Sequence, residues 1–394
     1  MKRYISIGLG AALLLGSTSL TFAAKEGELL VWIGTNRDEA ALQSVLDKFT
    51  ADLGIPAKVE VVDPVPDKFQ QAAATGDGPD IVLFAHDRFG DWAAGGLIDP
   101  LSPSADLTAG ILPTAWDAVT FGGKVWGYPV GVEAVGLVYN KKLVPTPPAS
   151  FDDVKALAAT LGNGKTIMWD YNNTYFTFPL MMAGGGFAFQ KGADGNFNGK
   201  ETGVNNEGSI AGATVLKELV DSGIMPKGVD YGVMDGAFAK GEVGMVLNGP
   251  WSWGGYKGAG LDIGVAPIPS VNGNPSKPFI GVFAWAINAA SPNKDLAKEL
   301  LESYILSDEN LAIWNASGQL GALADISAGE AQGSDPLVTA TLANAAIGVP
   351  MPSNPEMGAF WSAMGPALSN ITSGTQDVKP ALDDAAKRIL GGGQ

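Results

Sequence analysis

The chain has 394 residues, 46% of them hydrophobic, enough for two domains with large cores. Its formal net charge is −16 and it has no basic cluster, which argues against non-specific binding to nucleic acid or an anionic membrane surface. It contains no cysteine and one histidine, which removes disulfides, thiolate metal sites, cysteine nucleophiles and a lipid-attachment cysteine.

Residues 1–23 read as a secretory signal. Lys2 and Arg3 supply the charged start, residues 5–15 the apolar stretch, and Thr21-Phe22-Ala23 the cleavage region. The apolar run is short and interrupted by Gly and Ser, unlike a membrane anchor. The segment holds Lys2 and Arg3 and no acid, so its removal takes the charge from −16 to −18. Residues 29–33 form a continuous apolar strand, and Asn36 is placed to cap the next helix. In that helix Leu42, Val45, Leu46 and Phe49 recur on one face, and Gly54 ends it. Residues 59–62 are a second strand and residues 67–75 a second helix. Gly76-Asp77-Gly78-Pro79 stops that helix, and residues 80–85 make a short apolar strand of the kind buried on both faces. The β-α-β-α-β order opens an α/β lobe.

His86, Asp87 and Arg88 follow the third strand at its carboxyl end, where ligands sit in open α/β sheets. A carboxylate, a five-donor guanidinium and nearby aromatic faces suit a polyhydroxylated ligand. Two adjacent charges can also simply pair on a surface loop. His86, the sole histidine, reads as a structural hydrogen-bonding residue.

Further on, Gly122-Gly123 is a turn between strand-like segments, and residues 127–133 are read as a first crossover. Residues 137–139 begin a second sheet. Pro145, Pro147 and Pro148 mark an extended connection. Ser150 and Asp153 resemble a capping box for a helix with Val154, Leu157, Ala158 and Leu161 inward and Gly162 as its stop. Helices are expected over 210–220, 231–240, 354–371 and 378–390, a strand over 244–247, and a second crossover over 279–284. Ser291-Pro292 reads as a cap followed by Pro at the first turn, with Leu296, Leu300 and Leu301 inward. Residues 391–394 should be a disordered tail.

The segment Thr75-Gly76-Asp77-Gly78-Pro79-Asp80-Ile81, followed by Ala85-His86-Asp87-Arg88, resembles the maltose/maltodextrin-binding proteins of ABC importers, which are soluble periplasmic receptors. The likeness recurs at Tyr128-Pro129 to Glu133, Tyr139-Asn140-Lys141, Tyr175-Phe176-Thr177, Asn248-Gly249-Pro250-Trp251, Ser276-Lys277-Pro278-Phe279, residues 288–294 and Ala359-Phe360-Trp361. It covers nearly the whole chain after residue 28.

The resemblance implies an α/β, two-lobed periplasmic binding protein fold, each lobe a sheet flanked by helices, joined by crossover segments. Residues 24–131 and 284–332 would form the N-terminal lobe, and 133–280 and 336–394 the C-terminal lobe, with a third crossover near 332–336. It implies that Asp87 accepts from sugar hydroxyls, Arg88 donates to them, and Glu133 does similar work beside the hinge. Asn36 and Arg37 stand where the family has an acid and a lysine, and Phe84 where it has a tryptophan. Tyr175, Trp251 and Trp361 match its sugar-stacking aromatics. Trp32, Trp92, Trp116, Trp126, Trp169, Trp253, Trp285 and Trp314 are read as structural.

Several positions depart from the family. Asn173 replaces an acid, Ser362 an aromatic and Gly365 an arginine, and Pro64 and Pro66 replace a charged patch. Gly365-Pro366 is expected to disturb the helix carrying Trp361. These losses point to a short sugar rather than a long maltodextrin. The function implied is capture of maltose or a short malto-oligosaccharide for an ABC permease, by a monomeric periplasmic protein without metal or cofactor. Trehalose or sucrose are alternatives. A secreted glycoside hydrolase would use Asp87 and Glu133 as its two carboxylates. Both acids are expected to line a solvated cleft.

Overall fold

The computed structural model describes residues 24–35, 37–192 and 196–391. The secretory segment, Asn36 and residues 392–394 lie outside them. The strands in chain order are β1 (Leu29–Ile33), β2 (Ala57–Val61), β3 (Ile81–Ala85), β4 (Thr120–Phe121), β5 (Lys124–Val125), β6 (Tyr128–Ala134), β7 (Gly136–Asn140), β8 (Ile167–Met168), β9 (Met245–Asn248), β10 (Ile263–Ala266), β11 (Phe279–Ile287), β12 (Ala322–Leu323) and β13 (Val349–Pro350). They build a seven-stranded sheet in the order β12-β6-β11-β3-β1-β2, with β13 on β11, and a four-stranded sheet in the order β10-β7-β9-β8. Helices flank both sheets, so the architecture is two-lobed α/β. The β4–β5 hairpin turns at Gly122 and Gly123, whose φ values of 59° and 72° suit glycine.

The seven-stranded sheet is mixed. β1 runs parallel to β2 and β3, while β11 runs antiparallel to both β3 and β6. It follows that β1, β3 and β6 point the same way and end on the same edge. β6 leads through Val135 directly into β7 of the other sheet. In that sheet β8 and β9 are parallel, and Asn248 at the end of β9 pairs with Gly136 at the start of β7. The carboxyl ends of both sheets therefore meet around the β6–β7 passage.

Each sheet has its own core. Leu42, Val45, Leu46 and Phe49 of helix Glu39–Leu53 are buried against the larger sheet, as their spacing predicts. Gly54 closes that helix at φ 71°. The Ser150–Asp153 capping box forms with both of its bonds, so an aspartate serves at the third position. A third core joins helices Thr174–Ala183, Met357–Ser373 and Val378–Leu390 through Phe178, Met364 and Leu382. Of the eight tryptophans read as structural, all but Trp126 are buried.

Three local expectations are corrected. The cap of the first helix is Asp38, whose carboxylate accepts from the Ala41 N–H; it lies two residues beyond Asn36. Ser291 is not the cap residue, because the helix starts at Lys294 with Asn293 in the cap position; the Ser291 hydroxyl accepts from the Asn293 N–H at 3.0 Å just ahead of it and donates to buried Asp80 at 2.5 Å, and the helix widens into a π-helical turn at Leu300–Ile305. Pro366 does not break the helix carrying Trp361, which runs unbroken over Met357–Ser373. Burial of Ala363, Met364, Ala367 and Leu368 around the proline holds that segment helical.

Asp80 itself is an internal clasp. Its carboxylate accepts from the Leu30 N–H, the Ser291 hydroxyl and the Asn293 amide, at 2.8, 2.5 and 3.0 Å. The acid thus ties β1 to the segment before Lys294.

Candidate functional site

The common edge of β1, β3 and β6 carries Arg37, Asp87 and Glu133. After β3 the chain tightens into a 3-10 turn, His86–Arg88. His86 fixes this turn in the core. Its Nδ1 accepts from the Val282 N–H at 3.0 Å, which leaves Nε2 to donate to the Met351 carbonyl at 3.0 Å. Burial lowers its pKa to about 4, so the ring stays neutral. The structural role read from the sequence is what the ring does.

Asp87 is only 4% exposed, not solvated. The Trp361 Nε1–H donates to Asp87 Oδ2 at 2.9 Å and ties the helix Met357–Ser373 to the 3-10 turn. Burial raises the carboxyl pKa to about 6, against the opposing pull of Arg88 and the Trp361 bond. Arg88 sits at the rim, 3.8 Å from Asp67.

The two shifts act oppositely on stability. Folded Asp87 keeps its proton up to about pH 6 whereas the unfolded carboxyl loses it near 3.8, so its contribution falls as pH rises through that window. Folded His86 lacks a proton that the unfolded ring binds between about 4 and 6.5, so its contribution rises with pH. Asp87→Asn removes only the falling part. Between pH 4 and 6 its stability relative to wild type should climb by roughly 2 kcal/mol, at no more than about 1.4 kcal/mol per pH unit. Urea denaturation across that range measures the difference, and parallel curves would contradict it.

Glu133, on β6 facing Gly281 of β11, forms the second acidic position. Arg37 Nη1 lies 2.8 Å from Glu133 Oε1, with side chains 5% and 3% exposed. The same nitrogen donates to the Gln319 carbonyl at 2.7 Å, and the guanidinium carbon sits 3.9 Å from the Phe283 ring centre. The pair is thus a charge contact, and Glu133 Oε1 has no aligned hydrogen-bond donor among the described residues. Burial pushes the Glu133 carboxyl up, while Arg37 holds it down. Burial of both acids corrects the expectation that they line a solvated cleft. They sit at the foot of packed strands, where water is largely displaced.

The aromatic residues form the surroundings. Tyr175 lies in the first turn of the helix after β8, with its ring 6.3 Å from Trp251 and 5.5 Å from Phe176. Burial raises the Tyr175 pKa, with the charges of Glu133 and Asp87 adding to the shift and Arg37 opposing it. Trp251 follows β9, and its Nε1–H donates to the Tyr231 hydroxyl at 3.0 Å. Gly249 makes room for the indole: a Cβ there would come within 2.1 Å of the ring. Trp361 packs edge-on against Phe360 and Phe279, with ring centres 4.8 and 5.8 Å apart. Phe84 lies between Trp92 and Phe283, 6.1 Å from each.

The positions that depart from the resemblance are engaged locally. Asn173 is used locally, its side chain accepting from the Tyr175 N–H at 3.1 Å. A Cβ at Gly365 would lie 3.5 Å from the Asn172 carbonyl oxygen, and the Ser362 hydroxyl turns back to its own helix. Tyr231, Asp235 and Gln319 were not singled out in the sequence. The available signal was Tyr231 and Asp235 four residues apart on a largely apolar helix, hence on one face.

The pattern of the bacterial extracellular solute-binding proteins matches residues 44–340. Three relatives align over nearly the full chain. A galactooligosaccharide-binding protein of Bacillus subtilis (strain 168) is 26% identical, over 98% of this chain and 94% of its own. A maltotriose-binding protein of Pyrococcus abyssi (strain GE5 / Orsay) is 28% identical, over 92% and 82%. A maltooligosaccharide ABC transporter solute-binding lipoprotein of Streptococcus pneumoniae (strain ATCC BAA-255 / R6) is 27% identical, over 92% and 88%.

Proposed function

The chain belongs to the bacterial extracellular solute-binding protein family, and from that premise we propose that it captures a short oligosaccharide, maltose or a short malto-oligosaccharide, for an ABC permease. The observation that carries this reading is the gathering of Asp87, Glu133 and Arg37 with Tyr175, Trp251 and Trp361 around the carboxyl ends of both sheets. Buried carboxylates with spare acceptor capacity take sugar hydroxyls, and aromatic faces take the apolar faces of pyranose rings. Arg88 at the rim adds a donor. Asn36 and Phe84 belong to the same proposed site.

The names of the relatives support the sugar class, and one of them supports the transporter partner. A galactooligosaccharide is the second reading, favoured by the galactooligosaccharide-binding relative. Residues 24–131 with 284–332, and 133–280 with 336–394, would be the two lobes that close over the sugar by hinge motion. Export by a cleaved segment 1–23, without a lipid because no cysteine exists to carry one, fits a monomeric periplasmic receptor.

The same reading makes the protein a receptor rather than a hydrolase. Ligand that binds only the folded state raises the melting temperature with concentration. Incubation with maltotriose should give that rise and leave the trisaccharide intact after hours. Glucose released beyond one equivalent per protein would turn the reading towards hydrolysis.

A further inference from the structure

One edge of β11 carries two partners in turn. β13 runs parallel to its first part, with Phe279 opposite Val349 and Ile280 opposite Pro350. β3 runs antiparallel to its second part, from Phe283 opposite Ala85 to Ile287 opposite Ile81. The carboxyl ends of β3 and β13 therefore point at each other across Gly281 and Val282.

The β13 ladder stops one rung short. The Val349 and Met351 N–H groups donate to the Pro278 and Ile280 carbonyls at 2.9 and 3.1 Å, the slanted pattern of a parallel pair. The next bond in that pattern would run from the Val282 N–H to the Met351 carbonyl. The His86 imidazole stands there instead. Its Nδ1 accepts from Val282 and its Nε2 donates to Met351, each at 3.0 Å. The ring holds apart two backbone groups that would otherwise bond each other, and satisfies both. It must be neutral to do so, because a protonated Nδ1 cannot accept. Burial keeps it neutral.

Both segments that leave this point carry a residue of the proposed sugar site. Asp87 follows His86, and the chain after Met351 leads into the helix of Trp361. The two segments stay together: a Cβ at Gly90 would overlap the Ser353 carbonyl oxygen, and the Trp361 indole donates to Asp87 at 2.9 Å. A directly closed rung would draw Met351 onto β11 and move the Trp361 helix relative to Asp87.

We propose that His86 is a positioning residue for sugar binding, its imidazole replacing one rung of the β11–β13 ladder and so setting Asp87 in register with Trp361. The proposal rests on the reading of Asp87 and Trp361 as sugar contacts.

The test is calorimetry with maltotriose, or with a galactose trisaccharide if wild type prefers it. A glutamine amide holds an acceptor and a donor on one carbon, as Nδ1 and Nε2 are held on Cε1, whereas the asparagine amide is one methylene too short to reach both backbone groups. His86→Asn should weaken binding about tenfold, the scale of one hydrogen bond, and His86→Gln should recover most of that loss. In a Trp361→Phe background the His86→Asn loss should shrink to less than about threefold, because the bond that the imidazole aligns is already gone. An asparagine variant that binds as wild type does, a glutamine variant no better than asparagine, or the same loss with and without the indole would each overturn the proposal and leave the sugar reading intact. Wild type that binds neither trisaccharide overturns both. A further measurement needs no variant to fold. His86 is the only histidine, so isotope-labelled histidine gives the nuclear magnetic resonance signals of this ring alone. It should carry its proton on Nε2 only, from about pH 8 down to about pH 5, whereas a ring that titrates near its ordinary value of about 6.5 would overturn the rung.

Discussion

Arg37→Ala is expected to destabilise the fold by about 3–5 kcal/mol at pH 8, the cost of leaving a buried charge without its partner. Glu133 is 3% exposed, and Arg37 is the cation that faces it. Once Arg37 is gone, burial raises the Glu133 pKa further, so the folded state takes up a proton that the unfolded chain releases near 4.5. A raised carboxyl pKa contributes stability that is lost as pH rises, so the defect should shrink when the pH is lowered towards 5. Substituting both residues by apolar ones of similar size should restore much of the stability, but not sugar binding. Urea denaturation at the two pH values measures this. An unchanged midpoint for Arg37→Ala at pH 8 would mean that the pair is not held out of water.

Trp361→Ala is expected to weaken sugar binding by about 3 kcal/mol, more than a hundredfold. It removes an aromatic face from the site and deletes the indole donor to buried Asp87. A hydrogen bond to a charged group is worth about 1.5–3 kcal/mol on its own. Trp361→Phe separates the two effects, because it keeps a ring and loses the N–H. It should recover part of the affinity, and the Asp87 pKa should rise above that of wild type, since one of the groups that lower it is gone. Calorimetry on both variants reads the affinities. If Ala and Phe both bind as wild type does, the indole is outside the site.

Much of the fold was legible because it rests on local rules. The stripe Leu42, Val45, Leu46, Phe49 is a helical period, and Gly54 and the Ser150–Asp153 pair are end signals that act within a turn. Ser291 was misplaced as a cap by two residues: the helix begins after Asn293, and Ser291 and Asn293 are instead anchored by Asp80, which lies 211 and 213 residues away in sequence. Pro366 failed as a breaker because packing outweighs one lost backbone bond. In the proposed site, Asp87 and Trp361 were singled out by type and by resemblance, but their bond to each other was not legible. Whether an acid is solvated depends on distant segments, and here Phe283, Gln319 and Trp361 close around the charges. Tyr231 and Asp235 carry no sequence signature beyond their spacing on a short helix, because the partners that hold them, Trp251 and Tyr256, come from a later segment.

The most direct test of the central claim is a calorimetric titration of the purified protein, freed of bound sugar by unfolding and refolding, with maltose, maltotriose and a galactose disaccharide and trisaccharide. The account predicts saturable binding of at least one of them, one sugar per chain, with a dissociation constant on the order of micromolar, or about 8 kcal/mol. It also predicts that Asp87→Ala weakens that binding by about 1.5–3 kcal/mol. No heat with any of the four sugars, or undiminished binding by Asp87→Ala, would contradict it.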